Sequence, residues 1–110
     1  MKWIHKFTAM IIFFVSLNVF AETPIFNLEI RDHLFFPPLI IIPANTKVKL
    51  VISNMDSTAE EFESYLLKRE KVILGKSQAI IFIGPLPLGD YPFYGEYNPK
   101  TATGIVRVSN

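Results

Sequence analysis

Proline and glycine divide the chain from residue 22 onward into short segments. All eight prolines and all five glycines of the 110-residue chain lie in this part. Within the segments apolar and polar side chains alternate, as in 25–31 and 47–53. Alternation with a period of two turns successive side chains to opposite faces of a β-strand, so that one face can be buried. The punctuation and the alternation together predict an all-β fold, because long helices would have to contain helix-breaking residues.

About seven strands are predicted, with breaks at the spacing typical of a β-sandwich. Val48, Leu50 and Ile52 are expected to form the inner face of one of them. The segment between Pro38 and Pro43 predicts a short edge strand or a strand that changes sheets, since proline cannot donate a ladder hydrogen bond. The predicted strands are 25–31, 39–42, 47–53, 72–74, 79–83, 91–97 and 105–108.

One short helical turn is expected near residues 57–63. Ser57 stands three residues before Glu60, and Thr58 stands three residues before Glu61. This is the spacing of the capping box, in which a hydroxyl and a carboxylate satisfy the first free N–H groups of a helix.

The first 21 residues have the features of a cleaved export signal. Lys2 and Lys6 form a positive region, Phe7–Phe20 is an apolar run, and a small residue, Ala21, stands at the expected cleavage point. An uncleaved membrane anchor is the alternative, but the run is shorter than the roughly 20 residues that span a bilayer. We therefore expect a single mature domain, residues 22–110, in a bacterial periplasm and without a membrane span.

Charge and cysteine content exclude several function classes. The whole chain has 11 basic and 10 acidic residues, and removal of Lys2 and Lys6 changes the net charge from +1 to −1. A chain so close to neutral lacks the basic surplus of nucleic-acid-binding domains. Because the chain contains no cysteine, it has no thiolate nucleophile, iron–sulfur cluster, cysteine-ligated zinc or disulfide. No hydrolase motif is present, and an enzyme is not the favoured interpretation.

Two motifs in the chain resemble those of cupredoxins. The first runs from Phe35 through Pro43 to Asp56, and the second is Gly89–Asn98, with the sequence GDYPFYGEYN. The resemblance covers nearly all of residues 22–110 and implies a Greek-key β-sandwich. In a cupredoxin, the loop that resembles the second motif carries most of the copper ligands.

The resemblance does not extend to the copper ligands themselves. A blue-copper site needs two histidines, one cysteine and usually a weak axial methionine. The positions that resemble the family's cysteine, second histidine and methionine hold Gly95, Asn98 and Ala102. The position of the first histidine falls at Glu60–Glu61. We therefore expect no type 1 copper centre.

A narrower resemblance links the chain to the EfeO-type cupredoxin-like domains of bacterial iron-uptake systems. It is carried by Glu61–Glu63, Arg69–Glu70 and Asn98–Pro99. It implies an accessory of metal uptake that binds an iron or copper ion through carboxylates. The implied partner is a membrane iron permease or another periplasmic uptake component. Some members of this group carry a cysteine that this chain lacks.

Four residues are the candidate metal ligands: Glu61, Glu63, Glu96 and His33. Glu61 and Glu63 are two apart and would share one face of an extended segment, while Glu96 adjoins Gly95 in the second motif. His33 is the one histidine after residue 21. Carboxylate oxygens suit hard or borderline cations. The alternatives are a solvated acidic turn and a surface histidine, in which case the domain is a metal-free interaction module of a periplasmic complex.

Overall fold

Nine β-strands form two sheets in the computed structural model, which describes residues 9–13 and 22–110. The described residues contain no helix, and therefore none that could cross a membrane. Most of the predicted export signal, residues 1–21, lies outside the described residues. In chain order the strands are β1 (Ile25–Arg31), β2 (Leu34–Phe36), β3 (Leu39–Pro43), β4 (Val48–Asn54), β5 (Glu60–Ser64), β6 (Arg69–Ile73), β7 (Gln78–Ile83), β8 (Gly89–Gly95) and β9 (Thr103–Ser109).

The two sheets pack face to face and confirm the predicted all-β sandwich. The four-stranded sheet has the order β2-β1-β4-β7, and the five-stranded sheet has the order β3-β9-β8-β5-β6. β1 runs parallel to β4 and β3 runs parallel to β9, whereas the other neighbours are antiparallel. β3 lies at the edge of its sheet, which agrees with the prolines that enclose it.

The core lies between the inner faces of the sheets. Val48, Leu50 and Ile52 on β4 are completely buried, which confirms the face predicted from alternation. Phe35 stands edge-on to Phe62 and Phe93, with ring centroids 6.1 and 5.1 Å away, and the latter two stack at 5.0 Å. Such aromatic pairs add to the stabilisation from buried area.

Two features of the fold differ from the sequence-based expectation. The strands number nine rather than seven, because β2 and β5 were not predicted. The prediction of a helical turn near 57–63 is wrong. Glu60–Ser64 is a strand whose alternate residues Glu60, Phe62 and Ser64 are buried. Burial of Phe62 between the sheets and pairing with β6 outweigh the local capping preference.

The segment before β5 is held by hydrogen bonds from the Asn54 side chain instead of a helix cap. The side-chain amide of Asn54 donates to the backbone oxygen of Thr58 at 2.8 Å and to that of Ile73 at 3.1 Å. Asn54 is itself buried, and its bond to Ile73 is buried with it. These bonds fix the connection between the end of β4 and the start of β5.

Candidate metal centre

Three carboxylates meet on the outer face of the five-stranded sheet. Glu61 and Glu63 project from β5, and Glu70 on β6 is the direct cross-strand partner of Glu63. One carboxylate oxygen from each residue lies within 4.8 Å of the others. Like charges directly opposite each other destabilise a sheet, so this three-glutamate cluster is an arrangement that a cation would stabilise.

The carboxyl group of Glu63 is at the centre of this negative region. Desolvation, followed by the charges of Glu70, Glu61 and Glu96, raises the pKa of Glu63 above its ordinary value. Tyr94 on β8 is the neighbour of Glu63 on the other side. Desolvation and then the charges of Glu96 and Glu63 raise the pKa of the Tyr94 phenol as well. Both shifts have the direction that accumulated negative charge produces.

The structure brings two of the four predicted ligands together and adds a residue that was not predicted. Glu61 and Glu63 belong to the cluster, and Glu70 completes it. Glu96 lies in the loop after β8, where its backbone N–H donates to the oxygen of Glu61 at 2.9 Å. Its charge reaches Glu63, but its carboxylate is not one of the three that converge. Glu70 was missed because its place opposite Glu63 depends on the β5–β6 pairing.

His33 lies apart from the cluster, in the turn between β1 and β2. Its Nδ1 is 3.7 Å from Oδ2 of Asp56, and the backbone N–H groups of Asp32 and His33 both donate to the Asp56 carboxylate at 2.9 Å. The bond from the His33 N–H is the largest factor that lowers the pKa of Asp56. Within residues 9–13 and 22–110, no other group of three acidic or histidine side chains converges like the three-glutamate cluster.

A buried carboxylate, that of Glu60, lies beside Gly95 and Asn98, two of the positions that resemble cupredoxin copper ligands. The side chain of Glu60 is only 1% exposed. Its Oε1 accepts hydrogen bonds from the backbone N–H groups of Tyr97 at 2.9 Å and of Glu61 at 3.0 Å. Its Oε2 accepts one from the side-chain amide of Asn98 at 2.8 Å. Three N–H donors therefore satisfy a group that would be very unfavourable if it were buried alone.

These residues do not fit a type 1 copper ion. A Cβ atom at Gly95 would lie 2.6 Å from the carboxyl carbon of Glu60 and 2.9 Å from the Cβ of Ala102. A cysteine at this position would therefore displace Glu60. The donor set offers carboxylate and amide oxygen and lacks the thiolate and imidazoles of a blue site.

A sequence model described as the cupredoxin-like domain matches residues 6–108. A relative from Rickettsia prowazekii (strain Madrid E), named as an uncharacterized protein, is 39% identical over 84 residues, which cover 76% of this chain and 67% of that protein.

Solved structures share the fold at low sequence identity. The metal-binding domain of the Cu(I)-exporting P-type ATPase CopA from Streptococcus pneumoniae has a TM-score of 0.67 at 15% identity, covering 82% of this chain and 91% of that one. Auracyanin A, a blue copper protein from Chloroflexus aurantiacus, has a TM-score of 0.69 at 8% identity, and the match covers 80% of this chain and 100% of that one. A purple cupredoxin from Nitrosopumilus maritimus has a TM-score of 0.58 at 19% identity, and the match covers 76% of this chain and 98% of that one.

Proposed function

Because this chain belongs to the cupredoxin-like domain family, we propose that it is a metal-binding accessory protein that holds its ion through carboxylate oxygens. The observation that carries the proposal is the convergence of Glu61, Glu63 and Glu70 within 4.8 Å on one sheet face. Desolvation and then the charges of the neighbouring carboxylates raise the pKa of Glu63, and a divalent ion would neutralise those charges.

The donor set favours some metals over others. Carboxylate oxygens suit hard cations such as Mn(II), and Fe(II) and Cu(II) also accept oxygen ligands, whereas Cu(I) prefers cysteine and methionine sulfur. Three carboxylates around a divalent ion leave a net charge of about −1, and Glu96 and Tyr94 stand next to the cluster. We propose iron as the cargo and Cu(II) as the alternative.

The proposed cellular role is that of an exported component of metal uptake. Residues 1–21 direct the chain to the periplasm, and the domain delivers its ion to a membrane iron permease or another uptake component. The signal-like composition of the first residues and the resemblance to EfeO-type domains support this role.

Calorimetric titration of the chelator-treated protein with Fe(II) under anaerobic conditions, Mn(II) and Cu(II) tests the site. We expect one saturable site, which binds at least about tenfold more weakly in Glu63→Gln. Glu29→Gln, which changes a carboxylate on the outer face of the other sheet, is the matched control and should bind as wild type. Binding should also raise the melting temperature, because the ion favours the folded state. Absence of saturable binding, or equal binding by Glu63→Gln, would disprove the site.

A second candidate is a metal-free interaction module of a periplasmic complex. It is favoured by the Glu60 hydrogen bonds, which complete the end of the sandwich without an ion. Metal content after purification from the periplasm separates the candidates. Stoichiometric iron or copper, lost in Glu63→Gln, supports the accessory protein, whereas a metal-free protein that also fails the titration supports the module.

A further inference from the structure

An apolar groove lies on the outer face of the five-stranded sheet. Its volume is about 480 Å³, which is within the range of small binding sites. Pro92 on β8 and Ile105 on β9 are register partners, and Leu39 on β3 is the next residue in the same row. The solvent side of an antiparallel sheet is ordinarily polar, so an apolar row here needs an explanation. The residues that line this proline groove include Pro38, Pro92, Tyr94, Pro99, Thr103 and Ile105.

The walls of the groove favour apolar contact over hydrogen bonding. Pro38 and Pro99 have no backbone N–H to donate. The backbone oxygen of Pro38 already accepts a bond from the N–H of Ile105 at 2.8 Å. The part of the groove around Pro92 and Ile105 is therefore suited to an apolar side chain.

Two carboxylates, those of Glu63 and Glu96, act on the Tyr94 end of the groove. Tyr94 lines the groove and is the neighbour of Glu63 across the sheet. The charges of Glu96 and Glu63 both act on its phenol. At the opposite end, beyond Pro92 and Ile105, the charge of Arg107 is paired with that of Asp90 through two hydrogen bonds, at 2.8 and 3.1 Å. A ligand that leaves the groove at the Tyr94 end thus meets negative charge.

We propose that the proline groove and its acidic end are the docking surface for a basic, extended segment of another protein. An apolar side chain of the partner lies on Pro92 and Ile105. An arginine or lysine beside it lies over the Tyr94 ring and forms an ion pair with Glu63 or Glu96. Arginine suits this place best, because its guanidinium stacks on aromatic rings and pairs with carboxylates through two hydrogen bonds. An anionic membrane surface would be repelled by the same carboxylates.

This docking surface goes beyond the proposed metal function and does not depend on it. The apolar row would be present whether or not the three-glutamate cluster holds an ion. Glu63 belongs to both surfaces, so the test is made on chelator-treated protein and uses Glu96 as the charge to be changed.

The probe is a hexapeptide of alternating leucine and arginine, compared with a hexapeptide in which glutamate replaces arginine. Backbone amide signals of the full chain are followed by NMR at low salt while each peptide is added. We expect the arginine peptide to shift the signals of 103–105 and the glutamate peptide to leave them unchanged. Ile105→Thr should weaken binding by about fivefold or more, as expected for a central contact, and Glu96→Gln by about two- to fivefold, as expected for an exposed ion pair. Ile41→Thr, an exposed position on the same sheet outside the groove, is the control and should bind as wild type.

Several results would overturn the proposal. These are no shift with either peptide, equal shifts with both, or binding that survives Ile105→Thr and Glu96→Gln. Recruitment of the protein to phosphatidylglycerol vesicles through this face would identify a membrane instead. Concentration-dependent dimerisation that protects 103–105 would identify a second copy of the chain. None of these results bears on the metal titration, so the two proposals can fail separately.

Discussion

Glu60 is the residue whose environment is least ordinary, because its buried carboxylate joins β5 to the loop after β8. Glu60→Ala would leave the N–H donors of Tyr97, Asn98 and Glu61 without an acceptor. We expect a loss of about 2–4 kcal/mol in the free energy of unfolding, measured by chemical denaturation. Glu22→Ala, an exposed position before β1, should change it by less than about 0.5 kcal/mol. Equal effects of the two variants would show that the Glu60 bonds contribute little.

Gly95 shows why one substitution cannot restore a copper centre. In Gly95→Cys the new side chain would collide with Glu60 and Ala102, and overpacking of this kind costs about 1–3 kcal/mol. With Cu(II), the variant should develop no intense blue absorption, because Glu60 and Asn98 supply no imidazole. Denaturation and visible spectroscopy check the two halves of this prediction. A stable blue variant would contradict it.

The raised pKa of Glu63 makes the stability of the metal-free protein depend on pH. A carboxyl group that binds its proton more tightly when folded destabilises the fold above its folded pKa. This penalty disappears as the pH falls through the raised pKa towards the ordinary value. The metal-free Glu63→Gln protein should therefore be at least as stable as wild type at neutral pH, with a difference that shrinks on acidification.

Asp56 is a control whose pKa is shifted in the opposite direction. Chemical denaturation of wild type, Glu63→Gln and Asp56→Asn at a series of pH values measures both effects. Its pKa is lowered, first by the backbone N–H of His33. A carboxyl group with a lowered pKa stabilises the fold at pH values above its ordinary pKa. This stabilisation is lost as the pH falls through the folded pKa. Asp56→Asn should therefore be destabilised at neutral pH and should approach wild type only in acid. If the difference in stability between wild type and Glu63→Gln does not change on acidification, the pKa of Glu63 is not raised by folding.

At the scale of a single element, substitutions in β4 test which face of the strand is buried in the core. Leu50 is completely buried, and Leu50→Ala should lower the free energy of unfolding by about 2–5 kcal/mol. Val51→Ala, on the opposite face of the same strand, should have a smaller effect. Chemical denaturation of both variants decides the matter. A larger loss for Val51→Ala would mean that the strand is shifted by one residue, which exchanges its two faces.

The elements also show which parts of the structure sequence reasoning can reach. Regular alternation between punctuating residues predicted β1 and β4 correctly, because a period of two is a property of neighbouring residues. β2 is only three residues long, and β5 carries strong local helix-capping signals that Phe62 overrides by packing between the sheets. The site depends on the same missed strand. Glu61 and Glu63 could be paired from their spacing, whereas Glu70 joins them only through a register that no local pattern encodes.

At the scale of the whole molecule, the last strand joins the first half of the chain to the second. β9 lies between β3 and β8 in the five-stranded sheet. A chain without residues 103–110 should therefore show no cooperative unfolding transition in thermal or chemical denaturation. A chain without residues 1–21 retains all nine strands and should keep its transition. A cooperative transition in the chain that lacks β9 would mean that β3 finds another partner.

The position of β9 also determines when the protein can fold during its synthesis. β3 emerges from the ribosome well before β9, its one neighbour in the sheet and the last of the nine strands described. Pairing between strands so distant in sequence is slow, since a long loop must close first. The five-stranded sheet therefore cannot be completed until β9 has been made. The proposed export role would make use of that delay, because a chain that must thread through a translocation channel has to reach it before its sheets close.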